Sequence, residues 1–416
     1  MLLKAFKVKL CPNKRQSTRL FQFAGSARFA YNWALEKEMT AFKNGEKFIS
    51  NFDLRKEFTV LRNSAEYSWL KTISNNVTKQ AIKDCCDAYS KFFKKQKSTK
   101  IKFTKKKLAN LARIGKSPTV YDMNGHPKFK SKRNGYFKFY QDVEKIQITS
   151  THIKLEALAQ SRKSNKQKFN WIKLAEVDRI PIGMRYKQPR ISFDGFNWWL
   201  SVAIEIEPPK NIGNYGESLG IDFGIKNLAI CSDGKIFPNI NRTKTVRHLK
   251  KRQRRLQRKI SRKYAMNKTE GGRYEKTCNI IKSEKLLWKI HHRLADIRRN
   301  YLHQISTEII KRKPSLICLE DLNVQGMMSN KHLSKAVQEQ GFYELRRMFE
   351  YKANWAGIIF VIADRFYPSS KTCIRCGKVK KDLKLSERLY RCECGNEIDR
   401  DLQAAINLKR YGDSHI

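Results

Sequence analysis

Four cysteines near the carboxyl end of the chain have the spacing of a metal site. Two residues separate Cys373 from Cys376, fifteen more follow, and Cys392 and Cys394 are one residue apart. Thiolates at such intervals converge on one tetrahedral ion, which is typically zinc. The closing pair is one residue tighter than the usual Cys-x-x-Cys. We predict a zinc knuckle with one structural Zn²⁺; the alternative is four unrelated buried cysteines.

Three carboxylates occupy positions that suit metal-dependent chemistry. Asp222 interrupts an apolar strand, Glu320 ends another, and Asp401 opens a helical pattern after the knuckle. A charge in a buried strand is costly unless a metal or partner compensates for it. Taken singly, they could be a turn residue, a solvent-facing acid and a helix cap. Together their hard oxygens could hold two Mg²⁺, or Mn²⁺, about 4 Å apart for phosphodiester hydrolysis. Asp321 and Asp399 are spare ligands or exposed acids.

The elements between these acids follow a definite order. Asp222 lies in a hairpin that returns through NLAICS, and Asp233-Gly234 makes the next turn. Two basic helices follow, then the strand 316–319 before Glu320, a helix near 331–355, the β run GIIFVIA and the helix that Asp401 opens. Ligands bind at the carboxyl ends of strands in open α/β sheets. The order predicts an α/β multidomain protein with an RNase H-like nuclease core, in which the three acids meet.

The charge balance requires a polyanionic partner. Lys and Arg number 87 against 38 Asp and Glu, a net charge of +49, and the excess runs along the whole chain. No stretch approaches eighteen apolar residues and no signal peptide opens the sequence, so we expect no membrane partner. Aromatic residues among the lysines suit base stacking and backbone neutralisation on nucleic acid. A ribosome-associated protein is the alternative. The other six cysteines form no paired framework, which favours a reducing compartment. We therefore expect a cytoplasmic protein that associates with the nucleoid.

The first half of the chain divides into helical and β regions. Residues 1–20 predict a strand and a turn, and 14–97 predict helices, including a pair broken near Gly25. That pair is either a helix-turn-helix DNA reader or part of a plain helical bundle. The lysine-rich stretch 95–135 predicts a linker. Short alternating runs over 136–207 predict antiparallel strands in a small barrel or sandwich, with the pair Trp198-Trp199 packed in the sheet.

Several motifs resemble one family. LGIDFGIKNLAI, ICLEDLNVQGM, YPSSKTCIRCG and YRCECGNEIDRDLQAAINL resemble the nuclease half of TnpB, the insertion-sequence-encoded RNA-guided DNA endonuclease related to type V CRISPR effectors. LCPNKRQSTRLFQFAGSARFAYNWAL and HPKFKSKRNGYFKF resemble its first half. The resemblance implies RuvC-type catalytic acids at Asp222, Glu320 and Asp401, which would also bind Mg²⁺. It implies zinc ligands at the four cysteines, a transposon-derived guide RNA, and cleavage of double-stranded DNA beside a short motif. Gln403 departs from the family pattern, which usually has Asn there.

The resemblance also implies a division of the chain. Residues 1–20 and 125–215 would form a wedge-like β-barrel domain, 21–98 a helical recognition lobe, and 99–124 a basic linker or insertion. Residues 216–369 and 397–416 would form the RuvC-like nuclease domain around a zinc-binding domain at 370–396. We expect a monomer. Two alternatives stay open: a compact type V CRISPR effector, and a guided DNA-binding regulator that does not cut and would be expected to lack an acid.

Overall fold

Two units make up the chain, Met1–Glu207 and Pro208–Ile416. The computed structural model describes residues 2–98, 103–119, 122–132, 135–159, 168–209, 212–213, 216–269, 272, 274–384 and 387–415. No helix in these ranges combines the length and the apolar character needed to cross a membrane.

The first unit combines helices with an antiparallel sheet. Its helices are α1 (Lys14–Lys43), α2 (Asn51–Asn63), α3 (Asn75–Ser98) and α4 (Lys105–Arg113). Its strands are β1 (Leu2–Cys11), β2 (Lys138–Tyr140), β3 (Gln147–Ile148), β4 (His152–Lys154), β5 (Trp171–Leu174), β6 (Tyr186–Phe193) and β7 (Trp198–Ile206). Single 3₁₀ turns lie at Ser68–Thr72, Val143–Lys145 and Lys168–Asn170. The strands are hydrogen-bonded in the order β2-β6-β7-β1-β5-β4-β3. The antiparallel strands are therefore found as expected, while closure into a barrel stays a prediction.

The predicted break at Gly25 is wrong. Helix α1 runs without interruption over thirty residues, and Asn13 caps it by accepting a hydrogen bond from the backbone N–H of Gln16 while the Gln16 side chain accepts from the N–H of Asn13. Ala24, Ser26 and Ala27 are buried on either side of the glycine. Packing of this face offsets the roughly 1 kcal/mol by which glycine weakens a helix.

Two further expectations for the first unit can be compared with the structure. The stretch expected to be a linker contains α4, which Thr104 caps through the backbone N–H of Lys107. Trp198 is buried, and its ring N–H donates to the Ser17 hydroxyl at 3.1 Å. The packing interpretation of Trp198 is thus confirmed, and the stretch expected to be a mobile or nucleic-acid-ordered linker includes a short helix.

The second unit is built on a five-stranded sheet with the strand order β10-β9-β8-β11-β12. Its strands are β8 (Leu219–Phe223), β9 (Asn227–Cys231), β10 (Ile236–Pro238), β11 (Leu316–Glu320) and β12 (Ile359–Ala363), with a separate hairpin of β13 (Leu389–Arg391) and β14 (Glu397–Asp399). Its helices are α5 (Lys244–Met266), α6 (Cys278–Lys311), α7 (Val324–Ser329), α8 (Ser334–Gln340), α9 (Phe342–Ala356) and α10 (Arg400–Asp413), with a 3₁₀ turn at Ile240–Arg242. Strands β8, β11 and β12 are parallel, and β9 and β10 complete the predicted hairpin.

The helix expected near residues 331–355 is interrupted. Gly341 adopts a φ of +73°, ends α8 and precedes α9. A left-handed residue cannot continue a right-handed helix, so the chain turns there. Below the sheet, Leu345, Met348 and Phe349 of α9 pack with Ile221 and Leu319 in one apolar core. The opposite face of the same strands is left for α10.

Candidate active site and metal centre

Asp222 and Glu320 lie side by side at the ends of adjacent parallel strands. The register between β8 and β11 aligns Ile221 with Leu319, and the next residue on each strand is one of the acids. The two carboxyl groups are close enough for each to influence the ionisation of the other. The structure therefore brings this predicted pair together.

Burial and neighbouring charges raise the pKa values of the two acids. Burial raises the pKa of Asp222 well above its usual range, and the negative charges of Glu320 and Asp401 add to the rise, while Arg400 opposes it. Burial also raises the pKa of Glu320. A low-dielectric setting with like charges favours the neutral acids, and a bound cation would favour the ionised ones. The pair therefore has the electrostatics of a cation-binding site.

Asp401 reaches the same region from the last helix. Strand β14 runs directly into α10, and Asp399 caps the helix by accepting hydrogen bonds from the backbone N–H groups of Asp401 and Leu402. The carboxylate of Asp401 lies 3.7 Å from the Arg388 guanidinium. Within the described ranges, the four cysteines alone form a group of three or more His, Cys, Asp or Glu side chains close enough to hold one ion. The charge of Asp401 contributes to the raised pKa of Asp222, so Asp401 lies near the pair although the three acids do not form such a group.

A glycine sets how closely α10 approaches the acid pair. Gly220 and Asp222 share one face of β8, since alternate residues of a strand point the same way. A Cβ on Gly220 would overlap the backbone of Ala405 and Lys409 in α10. A Cβ on Gly412, which belongs to α10, would lie 3.0 Å from the Cβ of Cys318 on the neighbouring strand β11. Sequence analysis missed both positions, although a glycine two residues before a strand acid is a readable sign of close backbone approach.

The two spare acids have other partners. Asp321 receives hydrogen bonds from Arg346 at 2.7 Å and from Arg365 at 2.6 and 3.0 Å, and these guanidinium groups lower its pKa. Asp399 is engaged as the helix cap. Both carboxylates therefore support neighbouring elements.

The four cysteines meet as the spacing predicts. Their sulfur atoms all lie within 4.8 Å of one another, with 3.6 Å between Cys373 and Cys394 and between Cys376 and Cys392. Two glycine turns, Gly377 (φ +75°) and Gly395 (φ +79°), follow the cysteine pairs. Burial raises the pKa of the Cys373 thiol, but backbone N–H groups outweigh it and lower the pKa to about 6. The group is a ready-made thiolate site for a tetrahedral ion.

Buried amides attach α10 to the segment that leads into the cysteines. The Asn407 side chain donates to the carbonyls of Ser369 and Thr372, both at 2.7 Å, and Gln403 is completely buried beside Asn396. Each buried amide satisfies a polar group that would otherwise be left unpaired. The cysteine unit and the helix carrying Asp401 are therefore fastened together. The sequence showed Gln403 only as a departure from a family pattern, and Asn407 was missed.

Helix α5 supplies a large share of the cationic surface of this unit. It carries eleven Lys and Arg residues and no Asp or Glu over 23 residues. Lys250 forms an ion pair with Glu339 at 2.7 Å, while Arg254, Arg258 and Arg262 line one open pocket on its surface. Such a helix suits a phosphate backbone.

Three family models match the chain and together cover more than half of it. One described as "Helix-turn-helix domain" matches residues 1–47, one described as "Probable transposase" matches 201–331, and "Cas12f1-like, TNB domain" matches 342–408. The first description does not fit the local structure, because residues 1–47 form one strand and one unbroken helix. The last spans the cysteine unit and most of α10.

Two bacterial relatives align with nearly the whole chain. "Putative RNA-guided DNA endonuclease InsQ" of Escherichia coli (strain K12) is 26% identical, over 99% of this chain and 92% of the relative. "Putative RNA-guided DNA endonuclease" of Streptomyces pristinaespiralis is 28% identical, over 98% and 89%. Among solved structures, the protein of a Cas12f1–sgRNA–target DNA complex is similar with a TM-score of 0.54 at 14% identity, covering 95% of this chain and 82% of that one. That likeness concerns the fold alone.

Proposed function

The chain belongs to the TnpB family, and on that premise we propose that it is an RNA-guided DNA endonuclease whose catalytic carboxylates are Asp222, Glu320 and Asp401. The observation that carries the proposal is the partly buried Asp222–Glu320 pair, placed where parallel strands β8 and β11 end. Acids with raised pKa values at strand ends are typical of catalytic sites.

The donor set fits divalent metal ions. Carboxylate oxygens are the ligands that Mg²⁺ and Mn²⁺ take, and a bound cation would stabilise the ionised forms of Asp222 and Glu320. Asp222 and Glu320 would be the central ligands, and Asp401 would add a third carboxylate from α10. Bound ions would activate the attacking water and stabilise charge on the leaving oxygen, and we propose two of them.

The protein's own residues divide the remaining work. Arg388 and Arg400 lie near Asp401 and temper the negative charge of the acids, which favours the approach of a phosphodiester. Lysines and arginines such as those of α5 would neutralise the guide RNA and the target DNA backbone, while base pairing reads the sequence. The four cysteines would hold one Zn²⁺ that fixes the start of α10. We further propose the domain division given above and a monomeric state.

The test is cleavage of a guide-matched DNA duplex by Asp222→Asn, using protein purified with the RNA it retains. We expect cutting to fall to background and the RNA content to stay unchanged, because the metal ligands and the backbone-binding cations are different residues. The melting temperature should rise, since a neutral amide removes the repulsion from Glu320. Asp233→Asn is the matched control: this acid lies in the β9–β10 turn, 2.8 Å from Arg312. Retained cutting by Asp222→Asn would refute the assignment.

A further inference from the structure

Phe366 has an exposure that its chemistry does not explain. At 92% exposed, it is the most exposed of the large hydrophobic side chains in the described ranges. It lies in the turn after β12, beside an open pocket of about 660 Å³ formed with Asp321, Asp364, Arg365 and Tyr367. A phenylalanine held in water forgoes the roughly 1.5–3 kcal/mol that burial would contribute.

The turn fixes Phe366 in this outward position. The backbone N–H of Tyr367 donates to the carbonyl of Asp364 at 3.0 Å and closes the turn. On one side, Arg365 donates two hydrogen bonds to Asp321. On the other, the Tyr367 hydroxyl donates to the Asn407 carbonyl at 3.3 Å, and its ring lies 4.7 Å from that of Tyr411. Both neighbours are anchored, so the phenyl ring is presented by a rigid support.

The same turn lies at the edge of the sheet that carries the acid pair. Strands β11 and β12 are parallel, and Glu320 is directly paired with Ala363. Phe366 follows Ala363 by three residues, and its neighbour Arg365 binds the residue after Glu320. The phenyl ring therefore follows the carboxyl end of the strand next to the one that carries Glu320, and two arginines balance the charge of Asp321.

We propose that Phe366 stacks on an unpaired base of the DNA strand whose phosphodiester is presented to Asp222 and Glu320. The inference rests on the proposed function, since guide pairing is what leaves DNA bases unpaired. Stacking on an aromatic ring suits any base, because every base has a π face, and a guided enzyme must accept any sequence. Because the backbone of the turn is anchored, a base stacked on this ring would be held at a defined position relative to the acids.

The first test compares Phe366→Trp, Phe366→Leu and Phe366→Ala in guided cleavage. The leucine and alanine variants should raise the KM for DNA by about 5- to 150-fold, the range that loss of one stacked base produces, with a smaller change in kcat. The tryptophan variant should keep the wild-type KM. All three should melt as the wild type does, because the side chain is exposed. A leucine variant as active as the wild type would overturn the proposal, since apolar bulk would then suffice.

The second test places single abasic sites along each strand around the cut. Wild type should lose cleavage at one position, and Phe366→Ala should show no further loss at that same position. Equal sensitivity of both proteins at every position overturns stacking while leaving the nuclease assignment intact; failure of the wild type to cut any matched DNA instead removes the proposed function. Reduced retention of RNA, or a changed oligomeric state in Phe366→Ala, would assign the ring to another partner and likewise overturn the proposal.

Discussion

Substitution of Gly220 should displace Asp401, one of the proposed catalytic acids, without changing that residue. Its missing side chain leaves room for the turn of α10 that contains Ala405, four residues after Asp401. In Gly220→Ala the new Cβ would lie well under 3.0 Å from its neighbours, a separation that real Cβ atoms essentially never show. Those neighbours are backbone atoms of α10. A flexible side chain could relieve such a clash by changing its rotamer, whereas a helix backbone can relieve it only if the helix shifts.

The size of the effect follows from the contact. Restoring an ordinary separation of 3.4 Å requires α10 to retreat by more than about 1 Å. Overpacking of this kind typically costs about 1–3 kcal/mol of stability. A displacement of about 1 Å in a catalytic group typically costs about 100-fold in rate. We therefore expect the Gly220→Ala protein to fold, to melt a few degrees lower, and to cleave about 100-fold more slowly.

The assay is single-turnover cleavage of a guide-matched duplex, with melting temperature and bound RNA measured on the same preparations. Gly216→Ala is the matched control, because a Cβ there would meet the Lys313 carbonyl at an ordinary 3.6 Å. It should cleave at the wild-type rate. If Gly220→Ala keeps its fold and cleaves within about twofold of the wild-type rate, the role of Asp401 does not depend on how closely α10 packs on β8.

Two more predictions concern the cysteine site and a buried acid. Cys373→Ser should lose its zinc by elemental analysis and melt about 5–10 °C lower, as a loss of about 3 kcal/mol would produce in a unit of this size, whereas the exposed Cys278→Ser should change neither value; an unchanged zinc content would contradict the ligand assignment. Burial raises the pKa of the Glu38 carboxyl from 4.5 to about 7, although a hydrogen bond from the Ile49 N–H opposes the rise. Between these two pH values the folded state keeps a proton that the unfolded state has released. The free energy of unfolding should therefore fall by up to about 3 kcal/mol as pH rises from 4.5 to about 7. Denaturant unfolding at pH 5 and pH 8 should show a smaller fall for Glu38→Gln, and identical pH dependence of the two proteins would rule out this source.

The acids were predictable because local patterns mark them. An apolar run interrupted by Asp222 and another ended by Glu320 predict strands, and Asp401 after the cysteines predicts a helix start. The arrangement that joins them was not predictable in the same way. Register between β8 and β11 depends on residues far apart in the sequence, and no local pattern encodes that pairing. Gly220 signals a close approach, but the sequence does not say which element approaches it.

The errors arose where tertiary packing outweighs local propensity. Gly25 looked like a helix break because glycine is weak in helices, yet its buried neighbours keep α1 continuous. Gly341 was passed over within an apolar helical pattern, although its positive φ ends α8 there. The same residue type thus had opposite outcomes, and only the surrounding contacts distinguish them.

The spacing of Asp222 and Glu320 does not depend on the length of the chain between them, because the sheet register determines it. The hairpin of α5 and α6 fills the stretch from β10 to β11, and the end of α6 packs in the core through Leu302, Ile305 and Ile309. Doubling a flexible connection adds only about 0.6 kcal/mol of closure entropy. The tip of this hairpin can therefore change in length without moving the acid pair, whereas the cysteine unit must keep its amide contacts with α10.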